Sequence, residues 1–104
     1  MSRQQLDKVS TIADSLGSPV TLPYSLAVCK KYIDELLLIS DQDLVHAMKT
    51  IFSEFRMLVE PACAAGIATL TRYPEKFRGK RTVLLFCGSN TDVQTWVKQT
   101  GKSR

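Results

Sequence analysis

The sequence has 104 residues, 44% of them hydrophobic, which suffices for one compact unit with a core but is short for a complete open parallel α/β domain. Lys and Arg number 14 against 10 Asp and Glu, a formal charge of +4, and the excess gathers in residues 72–81 and in the tail 98–104. No aromatic residues interleave those charges as a nucleic-acid stacking platform requires, no run approaches the roughly 18 apolar residues of a membrane span, and residues 1–7 lack the apolar centre of a secretory signal. The expectation is a cytoplasmic chain with no nucleic-acid partner and no membrane.

In chain order, residues 1–9 are polar and form a short helix or an arm. Ile12, Ala13 and Leu16 then run into the turn formers Gly17, Ser18 and Pro19, a short helical turn feeding a loop. Pro23 suits a first helical turn after Thr21, and Leu26, Cys29, Tyr32 and Ile33 fall near helical spacing through Asp34, which places Cys29 in the core. Leu36, Leu37, Leu38 and Ile39 form a short apolar run of the kind a buried strand shows. Ser40 with Asp43 three residues later is a capping box, and Asp41 and Asp43 favour the positive end of the helix that follows. Leu44, Met48, Ile51, Phe52 and Phe55 repeat at i, i+4, i+7, i+8 and i+11 as one apolar stripe, with His46, Lys49 and Ser53 on the solvent face.

Glu60 and Pro61 open a second helix, residues 62–69, almost without side-chain bulk. Gly66 costs about 1 kcal/mol there against alanine, so close packing on a sheet or a cofactor is the better reason for it. Cys63 in this company is core filler, and Glu60 either caps the helix or faces a pocket. Residues 72–80 read as a loop. Thr82, Val83, Leu84, Leu85 and Phe86 read as a strand covered on both faces, ending on Cys87, Gly88, Ser89 and Asn90, and residues 91–99 as a last helix with Val93, Trp96 and Val97 on its apolar side. Ligands of parallel sheets sit at the carboxyl ends of strands, which makes Cys87 the candidate rim residue. The three cysteines are odd in number, have no CxxC spacing and share the chain with one histidine, so neither a disulfide framework nor a zinc site is indicated. The order helix, strand, helix, helix, strand, helix is α/β with crossover connections.

Three pieces, Thr11-Ile12-Ala13-Asp14-Ser15-Leu16, Leu58-Val59-Glu60-Pro61-Ala62-Cys63-Ala64-Ala65 and Cys87-Gly88-Ser89-Asn90, resemble in order and spacing the C-terminal part of the pyridoxal-phosphate-dependent serine/threonine dehydratases, the fold-type II group that includes serine racemase. The join DELLLISDQD, residues 34–43, is similar to that family's strand-to-helix connection, so the likeness covers most of residues 10–99. It implies a fold that is part of an open, mostly parallel sheet with flanking helices, with residues 1–104 as a single, incomplete domain. It also implies pyridoxal 5'-phosphate as cofactor and a lyase reaction, hydroxyamino acid to 2-oxoacid plus ammonia, on serine or threonine in an intact, homo-oligomeric enzyme.

Residue by residue, the resemblance gives Cys87 the position whose serine or cysteine hydrogen-bonds the cofactor's pyridine nitrogen. Such a neutral partner leaves the nitrogen largely unprotonated and moderates the ring as an electron sink. Gly88 follows in the same turn, and Glu60 lies near the ring side of the pocket. The carbonyls of Leu16 and Ser18 match a loop that helps hold a monovalent or divalent cation. The family's Schiff-base lysine, in a Ser-x-Lys-x-Arg type segment, and its phosphate-binding run of glycines do not occur in this sequence. No catalytic residue is therefore assigned, and the chain reads as the final third of an enzyme. The alternative is a non-catalytic truncated homologue acting as an interaction module.

Overall fold

A computed structural model describes residues 8 and 10–101. Five α-helices are present among them: α1 (Pro23–Tyr32), α2 (Asp41–Phe55), α3 (Ala65–Arg72), α4 (Pro74–Phe77) and α5 (Val93–Thr100), with 3₁₀ turns at Asp14–Leu16 and Pro61–Ala64. The expectations for residues 1–7 and 9 lie outside the described residues.

α2 is the axis of the fold, and hydrogen bonds among five residues fix its start. The Ser40 hydroxyl accepts from the Asp43 N–H at 3.1 Å while the Asp43 carboxylate accepts from the Ser40 N–H at 3.0 Å, so the capping box is closed in both directions. Asp41 does more than favour the helix dipole. Its carboxylate accepts from the Thr11 hydroxyl at 2.6 Å and from the Ile12 N–H at 3.1 Å, which ties the first quoted motif to the N-terminus of α2. At the other end Arg56 takes the left-handed conformation, φ 58°, that closes a helix.

The apolar stripe of α2 is buried over its first three turns only. Leu44, Ala47, Met48 and Ile51 are buried, whereas Phe52 and Phe55 are 41% and 56% exposed; His46, Lys49 and Ser53 face solvent as expected. Across from the stripe lie Val59, Cys63, Ala64 and Ala68, and Ala13 closes the core from the Thr11 side. Cys63 is the buried filler that its neighbours indicate. The low-bulk helix begins as a 3₁₀ turn and becomes α3 at Ala65. Gly66 has the expected reason: a Cβ there would stand 3.0 Å from Leu84 Cδ2, so the 81–90 segment can lie directly on α3.

Other elements depart from expectation. Residues 72–80 are not a plain loop, because Pro74 at a first-turn position starts α4. α5 begins at Val93, capped by the Asp92 carboxylate on the Thr95 N–H at 2.7 Å; of its three apolar residues only Trp96 packs, 5.3 Å from the Phe52 ring, while Val93 and Val97 are exposed. Cys29 is half-buried and no residue of α1 is buried, so α1 is not the core helix its spacing suggested.

The expected sheet is not formed among the described residues. The two apolar runs carry no strand ladder, and Val20 is a lone bridge. Their burial nevertheless alternates with a strand's period of two. In the second run Leu84, Phe86 and Gly88 are half-buried, with Phe86 edge-on to Phe55 at 6.0 Å, while Val83 and Leu85 are 95% and 80% exposed and Cys87 is exposed. In the first, Leu37 and Ile39 turn inward, and Leu36 and Leu38 outward. Each run is covered on one face, not on the two that an unbroken apolar stretch suggests. The Tyr73 hydroxyl donates to the Leu38 carbonyl at 2.5 Å and Lys76 pairs with Glu35 at 2.6 Å, pinning the first run to α3 and α4.

The caps make stability depend on acid. The Ser40 N–H beside Asp43 and the Thr95 N–H beside Asp92 hold both carboxyls below the usual aspartate value. Lowered folded-state values stabilise the fold above the unfolded value, about 3.9, and that contribution disappears as pH falls through the folded values. Urea midpoints measured from pH 6 down to pH 3 should therefore drop at the acid end, with part of the slope removed by Asp43→Asn and part by Asp92→Asn. Ser40→Ala should cost about 1 kcal/mol at neutral pH.

Candidate functional site

Two of the functional candidates, Glu60 and Gly88, are 28 residues apart in sequence, and the fold brings them together. Val59 is buried, so the chain before Glu60 is anchored in the core, and Pro61, also buried, fixes its exit into the 3₁₀ turn. Glu60 itself is extended, φ −73° and ψ 159°; its carbonyl accepts from the Cys63 N–H at 3.0 Å and its N–H donates to the Gly88 carbonyl at 3.4 Å. The Glu60 side chain then reaches over the glycine, where a Cβ at position 88 would stand 2.8 Å from Oε1. The carboxylate occupies the space that only a glycine leaves open.

Cys87 precedes that glycine on the outward row, so its thiol is exposed on one face of the backbone strip and the Glu60 carboxylate lies against the other. Beyond them the chain turns, with the Thr91 N–H on the Ser89 carbonyl at 2.7 Å, and enters α5. A weak thiol donor and a carboxylate thus flank the carboxyl end of a strand-like run resting on α3. That arrangement offers a hydrogen-bonding partner to a ring atom and a negative charge to a nearby donor.

The other assigned residues are placed differently. Leu16 ends the first 3₁₀ turn and Ser18 lies on the loop after it, both exposed, and the Ser18 hydroxyl donates to the Val20 carbonyl at 2.6 Å. No cluster of three or more His, Cys, Asp or Glu side chains able to hold a metal lies among the described residues. A groove of about 480 Å³ lies at the opposite end of the strand-like run, lined by Glu35, Lys76, Phe77, Lys80, Arg81, Thr82 and Val83, and includes none of the assigned residues. Sequence reasoning missed Asp41 as the tether of residues 11 and 12. Its only signal was an acid at the first position of a well-capped helix, which the helix dipole explains equally well.

The structure brings the Glu60 and Gly88 motifs together, and the chain as a whole is similar to known proteins. Residues 1–88 match the family model of the pyridoxal-phosphate dependent enzymes. The chain belongs to that family. It is 37% identical over 98 residues to phenylserine dehydratase of Ralstonia pickettii, covering 93% of this chain and 30% of that enzyme, and 26% identical over 91 residues to serine racemase of Schizosaccharomyces pombe, covering 88% and 28%. Among solved structures it is similar to the processed form of threonine deaminase isoform 2 from Solanum lycopersicum, with TM-score 0.82, 28% identity, and 94% of this chain against 29% of that one. The chain thus spans less than a third of the length of these relatives. Dehydratases and a racemase are the company that the motifs indicate, and no helix among the described residues is long and apolar enough to cross a membrane.

Proposed function

We propose that this chain is the C-terminal part of a pyridoxal-phosphate-dependent L-serine/L-threonine dehydratase, an ammonia-lyase, in which Cys87, Gly88 and Glu60 form one edge of the cofactor site. The observation that carries the reading is the closure of Glu60 over Gly88. When bound, the cofactor supplies the electron sink that lets a hydroxyamino acid lose its α-proton and then its β-hydroxyl. The residues present fit one edge of its ring. Cys87 would hold the pyridine nitrogen as a neutral hydrogen-bond partner, and Gly88, lacking a Cβ, leaves the Glu60 carboxylate its place on the other face of the strip. Residues 1–104 form a single partial domain of a homo-oligomeric, cytoplasmic enzyme, with the Leu16 and Ser18 carbonyls as the cation loop. A second reading, a non-catalytic homologue that acts as an interaction module, is favoured by the bare outward row of Val83 and Leu85.

A graft tests the first reading. Residues 10–101 are put in place of the matching segment of Ralstonia pickettii phenylserine dehydratase. The graft should retain the cofactor's visible band through gel filtration and release ammonia from a hydroxyamino acid. Cys87→Ser should keep most of both properties. Cys87→Ala, which loses one neutral hydrogen bond worth about 0.5–1.5 kcal/mol, should weaken cofactor affinity or turnover roughly three- to tenfold. Cys63→Ala should change stability and leave the spectrum alone. A graft that folds but holds no cofactor, or a Cys87→Ala graft that matches its parent while Cys63→Ala does not, would overturn the assignment.

A further inference from the structure

Both oxygens of the Asp41 carboxylate bond a segment outside its own helix. Oδ1 accepts from the Thr11 hydroxyl at 2.6 Å and Oδ2 from the Ile12 N–H at 3.1 Å, 30 and 29 residues upstream. An acid that served only the dipole of α2 would need no such partners, and the helix is already capped by Ser40 and Asp43. The two bonds instead tie down a stretch whose turn bonds are its own. The Thr11 hydroxyl accepts in turn from the Ala13 N–H at 3.1 Å, the Leu16 N–H donates to the Ala13 carbonyl at 2.9 Å, and the Gly17 N–H donates to the Asp14 carbonyl at 3.0 Å.

What that stretch packs on is the approach to Glu60. Ala13 is buried in the cluster that holds Val59 and Cys63, which flank Glu60 in sequence. The 3₁₀ turn Asp14–Leu16 packs against the 3₁₀ turn Pro61–Ala64. Glu60 leads into that second turn, with its N–H on the Gly88 carbonyl and its carboxylate over the glycine's Cα. We propose that Asp41 is a positioning residue: by holding Thr11 and Ile12 at the N-terminus of α2 it seats the first turn against the second, and so fixes where Glu60 stands on Gly88 at the cofactor edge. Asp41 acts through the two turns. Shifts of about 1 Å produced far from a reacting centre are enough to lower activity, and a site is only as well placed as the residues that lock its members. The cofactor half of the inference rests on the reading given under Proposed function; the Glu60 and Gly88 half does not.

The test reads the Glu60 N–H of the full 104-residue chain by amide hydrogen exchange and divides its rate by that of the Met48 N–H in the middle of α2. A general loss of stability moves both rates alike, whereas a loosened Glu60 moves the ratio. Asp41→Ala, which removes two hydrogen bonds to a charged group, should raise the ratio at least about tenfold. Thr11→Val, a change at an exposed position that leaves the Asp41 charge in place, should raise it less and serves if Asp41→Ala does not fold. Asp41→Asn should stay within about threefold of the parent, because its oxygen can accept from Ile12 and its nitrogen can donate to the Thr11 hydroxyl. Ser40→Ala, which weakens the same helix start without touching residues 11–13, should leave the ratio unchanged. In the phenylserine dehydratase graft, cofactor affinity should fall in the same order, Asp41→Ala most and Asp41→Asn least. An unchanged ratio in both Asp41→Ala and Thr11→Val overturns the proposal, as does a loss in Asp41→Asn equal to that in Asp41→Ala, which would leave Asp41 a helix-end charge. A shifted ratio with unchanged cofactor affinity overturns the link to the cofactor edge. A graft that holds no cofactor in any form removes the dehydratase reading and the cofactor half with it, while the exchange ratio still decides whether Asp41 positions Glu60.

Discussion

Mixed with pyridoxal phosphate and L-serine or L-threonine, the 104-residue chain alone is expected to form no 2-oxoacid and to keep no visible cofactor band through gel filtration. The expectation comes from where five of the eight lysines stand and from the motifs that the sequence lacks. Lys30 and Lys31 are on α1, which buries no residue; Lys49 is on the solvent face of α2; Lys76 is paired with Glu35; and Lys98 is in the last turn of α5. No lysine stands in the Ser-x-Lys-x-Arg type of segment that the family resemblance requires. The phosphate is no better provided for. Several backbone N–H groups must converge to hold such a dianion against water, and the five glycines are isolated from one another in sequence. Gly66 is spent on Leu84 and Gly79 on a turn at φ 76°. What remains is one thiol and one carboxylate, which can orient a ring and cannot retain it. Rate enhancements by enzymes reach 10⁶-fold or more, so even a small residual activity would be visible against the uncatalysed reaction. Ketoacid formed from serine by the chain alone, stable to removal of free cofactor, would refute both the missing-lysine argument and the fragment reading.

The parts of this fold that were legible in the sequence are those whose causes are local. The capping box at Ser40 and Asp43 needs only residues three apart, and α2 follows it with the solvent face where its period puts it. The glycine in α3 could be read as a close approach because its cost in helix stability demanded a reason, and Leu84 is that reason. Non-local causes were not legible. The approach of Glu60 to Gly88 joins residues 28 apart, and no spacing or periodicity announces it; the resemblance to a family put Glu60 near the ring side of a pocket and went no further. A continuous apolar run gives no sign of which face has a partner, so Val83, Leu84, Leu85 and Phe86 read as uniformly buried when alternate members are bare. Amphipathic spacing in α1 likewise promised burial that depends on a neighbour, and α1 packs against none of the other helices. The missed α4 is different in kind: Pro74 at a first-turn position was a signal available in the sequence.

Met48→Ala should remove most of the chain's stability, far more than Phe55→Ala, although the helical stripe ranks the two positions alike. Among the described residues the core holds nine buried hydrophobic ones, of which four are alanines, and only Met48, Ile51 and Val59 are large and fully buried. Truncating a buried methionine costs about 2–5 kcal/mol through lost transfer energy and the cavity left behind. A domain of this size has roughly 5–15 kcal/mol in total and, with so small a core, belongs near the lower bound. Collapse cannot fill the gap cheaply, because the cluster around Met48 includes Ala13, Ala47, Ala64 and Ala68, whose side chains are too short to follow a receding surface. Phe55 is 56% exposed and touches Phe86 edge-on at 6.0 Å, an aromatic pair worth about 0.5–1.5 kcal/mol beyond its area. Urea unfolding followed by the fluorescence of Trp96, the chain's one tryptophan, should therefore show a midpoint shift of a fraction of the transition for Phe55→Ala and the loss of a cooperative transition for Met48→Ala. Equal losses for the two would mean that α2 is covered along its whole stripe.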